Sequence, residues 1–278
     1  MSTEDGQSPA QTDPQTAEQA APRSTDYVEA VGRAMAILES FTTELARKQQ
    51  GRLTLTDAAK LTDLSRGTAR RLLLTLKTLQ YVDFDGKFFW LTPKMVNVSR
   101  GFLMPLGLGD ESRTILQALS EKVNESTSVG VLNNAEIIYV DRIEVRRIYS
   151  SRIAAGTRLP ASCTSIGRIL LASMSESDLR HWLTAYPLQQ MTPKTITDPQ
   201  EFMAEIARIR AQGYAVIDEE LETGIRSIAV PIISPNGRIA AALNSSTSTA
   251  RNSVNDLKRV FLPELLTSAA RLSQTMGW

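Results

Sequence analysis

The sequence predicts an α+β protein in two parts: a winged helix-turn-helix, then an antiparallel sheet with flanking helices. Three observations lead to this prediction. Residues 54–79 contain two helical patterns separated by a short break. Residues 81–84 and 87–91 alternate like two strands around Asp85-Gly86, a strong hairpin signal. Beyond residue 110, strand patterns joined by turns are interleaved with helices, which favours an antiparallel over a doubly wound parallel sheet.

The two helical patterns of the first part carry clear start signals. Thr54 and Asp57 fit a capping box, so a helix should run from there to about residue 62. Asp63 and Leu64 make the turn, and Ser65 is a good N-cap for the second helix. The second helix has one apolar stripe that should be buried: Ala69, Leu72, Leu73, Leu76 and Leu79.

The opposite face of the second helix is small, hydroxyl-bearing and cationic in its N-terminal half. Small residues let a backbone approach the major groove, and arginine presents a fork that matches guanine or phosphate. We therefore predict that operator DNA is contacted by Ser65, Arg66, Thr68, Arg70 and Arg71 in the major groove and by Lys87 at the hairpin tip. A merely solvated basic face is one alternative. A winged domain used for protein contacts is another, and it would lack the steep salt dependence of DNA binding.

Composition sets limits on the class of protein. The net charge is only +1, but residues 27–93 carry ten basic and seven acidic side chains, while residues 1–26 carry one basic and five acidic. Cys163 and His181 are the only cysteine and histidine, so we expect no intrachain disulfide, no metal site and no cofactor. Without a membrane-length apolar run or a secretory n-region and h-region, we expect a soluble, cytoplasmic protein with no membrane partner.

The chain divides into four predicted segments. Residues 1–25 form a disordered tail, 26–93 the winged domain, 94–109 a linker helix, and 110–278 the second domain. The first helix should begin at Asp26 and pack through one apolar stripe, followed by a polar connection over 42–53. That stripe consists of Val28, Val31, Met35, Leu38 and Phe41.

The second domain is predicted as a series of strands and helices. Helices are expected from about 110, from 164, over 177–185 and 198–212, and after a Ser253–Asp256 cap, with Pro263 kinking the last one. Residues 156–162 are expected to be a loop. Strands are expected at 126–132, 136–143, 147–153, 214–218, 227–233 and 238–245.

The helix predicted to start at Thr164 offers a candidate anion site. Its free backbone N–H groups and positive dipole end lie among hydroxyls, and Arg158 or Arg152 could complete a carboxylate clamp. Cys163 is interpreted as a small buried hydrophobe or part of the pocket wall. The alternative is that Thr164 and Ser165 only cap the helix and that Asn244 and Ser246 are edge residues.

Three stretches of the sequence together resemble a known family. These are LTLTDAAKLTDLSRGTARRLLLTLKTLQYV, RLPASCTSIGRILLA and GYAVIDEELETGIRSIAVPIISPNGRIAAALNSS. In this order they resemble the IclR family of bacterial transcription regulators, over about residues 27–276. The wording of the last two is most similar to the subgroup that controls aromatic degradation through the β-ketoadipate pathway, the PcaR, PcaU and PobR type.

The resemblance implies a ligand-responsive, sequence-specific regulator and not an enzyme. It implies a C-terminal effector domain of GAF-like fold, assembly as homodimers or homotetramers, and a small aromatic acid or dicarboxylate as effector. RNA polymerase is a further candidate partner. The family's pocket positions fall on Thr164, Ser165, Ile166, Ile225, Ser227, Asn244 and Ser246.

Two other interpretations remain open at this point. Cys163 with His181 could form a hydrolase-type nucleophile and base, although no orienting acid is evident. The other interpretation is a regulator of a different carboxylate pathway. The acidic run Asp218, Glu219, Glu220 and Glu222 is interpreted as a solvated loop and not as a cation site.

Overall fold

The computed structural model describes residues 26–145 and 153–276. They fall into two compact units that meet in sequence between Val96 and Asn97. The first unit has one hydrophobic core and the second has two, one on each face of its sheet.

The first unit is a winged helix-turn-helix, as predicted. A three-stranded antiparallel sheet in the order β1-β3-β2 closes one side of a small helical core. Its elements are α1 Glu29–Ser40, α2 Glu44–Lys48, β1 Arg52–Thr54, α3 Leu55–Leu61, α4 Arg66–Thr78, β2 Val82–Phe84 and β3 Phe88–Leu91, and α5 Lys94–Leu103 follows across the boundary.

The predicted caps of the helix-turn-helix are confirmed. Thr54 Oγ1 accepts from the Asp57 N–H at 3.2 Å, while the Asp57 carboxylate accepts from the Thr54 N–H at 3.0 Å. Ser65 Oγ accepts from the Thr68 N–H at 3.1 Å. These bonds satisfy donors that a helix start leaves unpaired, and so they fix where α3 and α4 begin.

Three details of the first unit differ from the prediction. The connection expected over 42–53 contains α2 and β1, and β1 pairs with β3 as a third strand. In α1, Val28, Val31 and Met35 are exposed, because the helix packs through its C-terminal half, where Ile37 is fully buried. Leu79 is exposed because α4 ends at Thr78 and Leu79 is its C-cap.

The second unit is built on a six-stranded antiparallel sheet in the order β6-β5-β4-β9-β8-β7, which confirms the predicted class. The two central strands β4 and β9 pair along Ser126–Gly130, and within the described residues the edges are the short strands β6 and β7. The strands are β4 Ser126–Asn133, β5 Glu136–Ile143, β6 Arg158–Pro160, β7 Ala215–Asp218, β8 Ile225–Ile233 and β9 Ile239–Ser248.

Helices cover both faces of this sheet. One face packs against α6 and α11, and the other against α7, which in turn contacts α9. The helices are α6 Asp110–Val123, α7 Ser165–Ala172, α8 Glu176–Ala185, α9 Pro199–Gln212, α10 Val254–Asp256 and α11 Leu262–Thr275. A π-helical turn, Leu257–Phe261, separates α10 from α11 just before Pro263, where the sequence predicts a kink.

One predicted loop contains a strand, and one predicted strand lies almost entirely outside the described residues. Residues 156–162, expected to be a loop, contain β6, which pairs with β5. Three residues ending in Pro160 are too few to show alternation, so the sequence gives no strand signal there. The strand expected over 147–153 lies outside the described residues except for Ile153.

Candidate functional sites

The N-terminal half of α4 presents a cationic surface. Arg66, Arg70 and Arg71 are exposed, whereas Ala69 and Leu73 are buried in the core behind them. Within residues 26–145 and 153–276, none of the three guanidinium groups forms an ion pair or a hydrogen bond. Their guanidinium donors are therefore available to an external anion.

The hydroxyls predicted to face DNA are partly engaged already. Ser65 Oγ serves the cap and lies 2.9 Å from Thr68 Oγ1. Ser65 is nevertheless exposed, and Gly67 beside it leaves the helix start open. The main chain of α4 can therefore approach a neighbouring surface closely.

The hairpin tip is closed by backbone hydrogen bonds to Asp85 and carries the exposed Lys87. Asp85 Oδ1 accepts from the N–H groups of Lys87 and Phe88 at 2.9 and 2.8 Å, and Gly86 supplies the positive φ that the turn needs. These backbone donors hold the pKa of Asp85 below its usual range. The exposed Lys87 ammonium lies 5.0 Å from the Phe88 ring, at the position predicted for a phosphate contact.

A second candidate site lies on the α7 face of the large sheet. Ser128 on β4 stands in register between Arg142 on β5 and Asn244 on β9. Arg142 Nη1 donates to Ser128 Oγ at 2.7 Å, and its guanidinium lies 5.7 Å from the Tyr139 ring. Asn244 lies close enough to the Tyr139 hydroxyl to act to lower its pKa, although burial raises that pKa overall. We call these four residues the polar row.

A β-bulge creates the polar row. Gly130 pairs with Tyr139, but Val129 pairs with Asp141 and not with Val140. The extra residue reverses the alternation of β5, so that Tyr139 and Arg142, three positions apart, face the same side. Strict alternation would place them on opposite faces, which is why sequence reasoning missed Tyr139 and Arg142.

Helix α7 begins beside the polar row. Thr164 Oγ1 accepts from the Gly167 N–H at 3.2 Å, and a methyl group on Gly130 would lie 3.1 Å from the Ile166 side chain. Gly130 lies two residues after Ser128 on β4, so both face the same side of the sheet as Ile166. Ser165, one residue before Ile166, is completely buried.

Three buried polar atoms in this region lack hydrogen-bond partners within the described residues: Arg142 Nε, Ser165 Oγ and Asn244 Oδ1. A buried polar group without a partner costs about 1–3 kcal/mol. Arg142 also forms no ion pair among these residues, and burial lowers its pKa by more than the charge of nearby Glu144 raises it. Within the described residues these three atoms therefore lack hydrogen-bonding partners of the kind that a polar ligand would supply.

Of the other predicted effector residues, two lie on the same face of the sheet as the polar row, and two are exposed on its strands. Ser227 and Ser246 are register partners one row beyond Asn244, on the same face. Ile225 is exposed at the start of β8. Arg158 is on the exposed edge strand, where its Nε donates to the Glu136 carboxylate at 2.7 Å. Its guanidinium already has a counter-ion, and the alternative clamp, Arg152, lies outside the described residues.

Cys163 and His181 show no activation in the structure. Cys163 is fully buried, and burial raises the pKa of its thiol to about 11. The exposed His181 ring hydrogen-bonds the Ser177 carbonyl oxygen of its own helix at 2.8 Å. A thiol with this pKa is a poor nucleophile at neutral pH.

The acidic run after β7 is not wholly solvated, contrary to the prediction. Glu220 is buried and ion-paired with Arg168 of α7, which is 1% exposed. Arg168 Nε also donates to the Ser162 carbonyl oxygen at 2.8 Å, and its Nη1 lies 3.7 Å from Glu205 of α9. This buried cluster fixes α7 in place.

Other types of site find little support in the described parts of the chain. No three acidic, histidine or cysteine side chains there converge to hold a metal ion. No described helix has the length and apolar character needed to cross a bilayer. Two surface hollows, one along α6 and one between α8 and α9, contain none of the residues of the polar row.

A winged helix-turn-helix with unpaired arginines, followed by a sheet domain with an unsatisfied polar row, defines a transcriptional regulator with separate DNA-binding and ligand-binding parts. The chain belongs to the IclR family. The family's helix-turn-helix model matches residues 30–86, and the model of the bacterial transcriptional regulator IclR C-terminal matches residues 102–274.

Known relatives agree with this assignment. The Pca regulon regulatory protein of Pseudomonas putida is 36% identical over 89% of this chain and 84% of its own length. The Pca operon regulatory protein of Acinetobacter baylyi is 37% identical over 90% of each chain.

Solved structures of regulators share the fold. A transcriptional regulator from Rhodococcus sp. RHA1 is 42% identical, with a TM-score of 0.75, covering 90% of this chain and 98% of that one. The inducer-binding domain of the Acinetobacter transcription factor PobR, solved as a double mutant with 3-hydroxybenzoic acid, is 31% identical. Its TM-score is 0.56, and it covers 60% of this chain and 97% of that one.

Proposed function

We propose that the chain regulates an operon for the catabolism of aromatic compounds, binding operator DNA through α4 and a small carboxylate at the polar row. The relatives named for the Pca system and the PobR domain with its hydroxybenzoate support the aromatic class. The effector is accordingly a small aromatic acid or a dicarboxylate. A regulator of another carboxylate pathway is the second candidate, because a guanidinium binds any carboxylate.

The observation that carries the effector site is Arg142. It is a partly buried guanidinium whose Nε has no hydrogen-bond acceptor and that forms no ion pair among the described residues, although the charge of the exposed Glu144 acts to raise its pKa. A desolvated charge is costly unless it is paired. A carboxylate would satisfy it, with Ser165 and Asn244 supplying further hydrogen bonds. We therefore assign the clamp to Arg142 and not to Arg158, whose guanidinium is already bound to Glu136.

The effector site is tested by calorimetry on the full chain. The panel contains protocatechuate, 4-hydroxybenzoate, β-ketoadipate and muconate, and the variants are Arg142→Met and Arg158→Met. We expect at least one acid to bind, Arg142→Met to weaken it tenfold or more, and Arg158→Met to leave the affinity nearly unchanged. A loss confined to Arg158→Met would show that the clamp is misassigned.

The DNA contact is tested with Arg71→Ala, and Arg33→Ala serves as a control because Arg33 is an exposed arginine paired with Glu29. A lost base contact should weaken operator binding by about 1–3 kcal/mol, whereas a lost phosphate contact should lower the salt slope by about 0.9. Fluorescence anisotropy over a salt series distinguishes the two. Parent-like binding and slope in Arg66→Ala, Arg70→Ala and Arg71→Ala would exclude α4 as the DNA-contacting helix.

A further inference from the structure

The four basic residues of α4 do not share one side of the helix. At roughly 100° per residue, Arg66, Arg70 and Lys77 fall within an arc of about 40° on one flank, beside the buried stripe. All three side chains are exposed, and we call them the cationic flank. Arg71 follows Arg70 by one residue, so it points about 100° further round, almost straight away from the core.

The opposite flank of α4 carries hydroxyls instead of charge. Thr68 and Thr75 lie there, and every basic residue of the helix lies elsewhere. Thr75 Oγ1 donates to the Arg71 carbonyl oxygen at 2.8 Å, so its proton is already used within the helix. The helix therefore has one cationic flank and one uncharged flank, with Arg71 between them.

Lys77 is held at the C-terminal end of the cationic flank by the hairpin of β2 and β3. Its ammonium lies 5.6 Å from the centre of the Phe84 ring, and that ring stacks on the buried Phe89 at 4.2 Å. Within the described residues, the Lys77 ammonium forms no ion pair or hydrogen bond. Phe84 ends β2, and the turn that follows it carries Lys87. The cationic flank is therefore the one next to the hairpin, and Lys87 extends it.

The width of a helix decides what each of its sides can touch in DNA. A helix with its side chains is about 10–12 Å across, and the major groove is about 12 Å wide. A helix that fills the groove presents its outermost line to the base edges and its two flanks to the two sugar-phosphate walls. From Arg66 to Lys77 the cationic flank is about 16 Å long. This length can meet several phosphates of one strand, which follow one another about every 3.4 Å along the duplex axis.

We infer that α4 divides DNA recognition between its sides: the cationic flank and Lys87 form a track for the phosphates of one strand only, and Arg71 reads base edges. This inference rests on the proposed function, because it takes α4 to lie in the major groove. It adds Lys77 to the DNA-contacting residues, and it assigns these phosphate contacts to the strand next to the hairpin. Phosphate contacts fix the register of a protein on DNA, whereas base contacts carry the sequence information.

The first experiment separates phosphate contacts from base contacts. A duplex that the full chain selects from a randomised library is compared with a scrambled duplex of the same composition, by fluorescence anisotropy over a salt series. Lys77→Met should lower the salt slope by about 0.9 per bound copy and leave the ratio of the two affinities within about twofold. Arg71→Met should reduce that ratio at least about fivefold. The control Arg33→Met, which removes a cation paired with Glu29, should change neither quantity.

The second experiment identifies the strand. Uncharged methylphosphonate linkages replace successive phosphates of the selected duplex, first on one strand and then on the other. Within the segment bound by one copy, we expect weakened binding from one strand only. At one of these sensitive positions the substitution should no longer weaken binding by Lys77→Met, because the contact it removes is already lost.

The outcomes distinguish this inference from the proposed function. If methylphosphonates on both strands weaken binding equally, the single-strand track is overturned, although DNA binding through α4 stands. A Lys77→Met variant that changes the ratio of affinities but not the salt slope, or neither of them, overturns the role of Lys77. If the full chain selects no duplex above background, the proposed function is wrong and this inference fails with it.

Discussion

Gly67 offers a test in which stability and DNA binding should change in opposite directions. It is the second residue of α4 and is exposed, and a methyl group added there would have Ser65 Oγ, at 3.9 Å, as its nearest neighbour. Gly67→Ala therefore fits without a clash. Alanine is preferred over glycine by about 0.8–1.0 kcal/mol inside a helix. Because the first turn is less constrained, we expect α4 to gain roughly 0.5 kcal/mol.

The same methyl group should weaken operator binding. It lies on the surface where the main chain of α4 is proposed to approach the major groove. Overpacking a close interface costs about 1–3 kcal/mol, which corresponds to roughly 5- to 150-fold weaker binding. No partner inside the protein is lost, so the effect comes from the interface alone.

Both effects can be measured on the full chain. Hydrogen exchange of the α4 amides reports the local stability, and fluorescence anisotropy at one fixed salt concentration reports operator affinity. Gly101→Ala is the matched control, since Gly101 lies in α5 with open space around it. Operator affinity equal to or above the parent's, with α4 more protected, would refute the proposed approach of this helix to DNA.

Three further predictions follow from contacts in the structure. Gly167→Ala should lower the free energy of unfolding by at least about 1–3 kcal/mol in urea, because its methyl group would lie 2.1 Å from the Ala161 carbonyl oxygen; parent-like stability would refute this packing. At pH 8 a thiol of pKa about 11 is roughly one-thousandth thiolate. Cys163 should therefore react with a disulfide reagent only upon unfolding, and rapid native labelling would contradict this. Burial raises the pKa of Asp57, but hydrogen bonds from Thr54 outweigh it, so the folded pKa is lowered. The stabilisation is then present above the unfolded value of 3.8 and lost as the pH falls through the folded pKa. The stability difference between parent and Asp57→Asn should accordingly disappear in acid, and a constant difference would exclude this origin.

Features set by neighbouring residues were predictable from the sequence. The capping boxes at Thr54 and Ser253 and the Asp85-Gly86 turn depend on residues at most three apart, and all appear in the structure. The short strands β1 and β6 were not predictable, because three residues cannot establish an alternation.

Features set by distant parts of the chain were predicted less well. Val28 and Val31 have the periodicity of a buried stripe, yet they are exposed, since the position of a helix against its neighbours decides which face is covered. At the proposed effector site, the sequence suggested Ser165 and Asn244 but not Arg142. Its orientation depends on a bulge that only the pairing of β4 with β5 reveals.

In the part of the chain that the structure describes, the large sheet ends in its two shortest strands, β6 with three residues and β7 with four. Pro160, which closes β6, has no N–H to offer a further strand. These borders give a neighbouring molecule little main chain on which to extend the sheet, and so they protect the protein from fibrous self-association through continuous pairing.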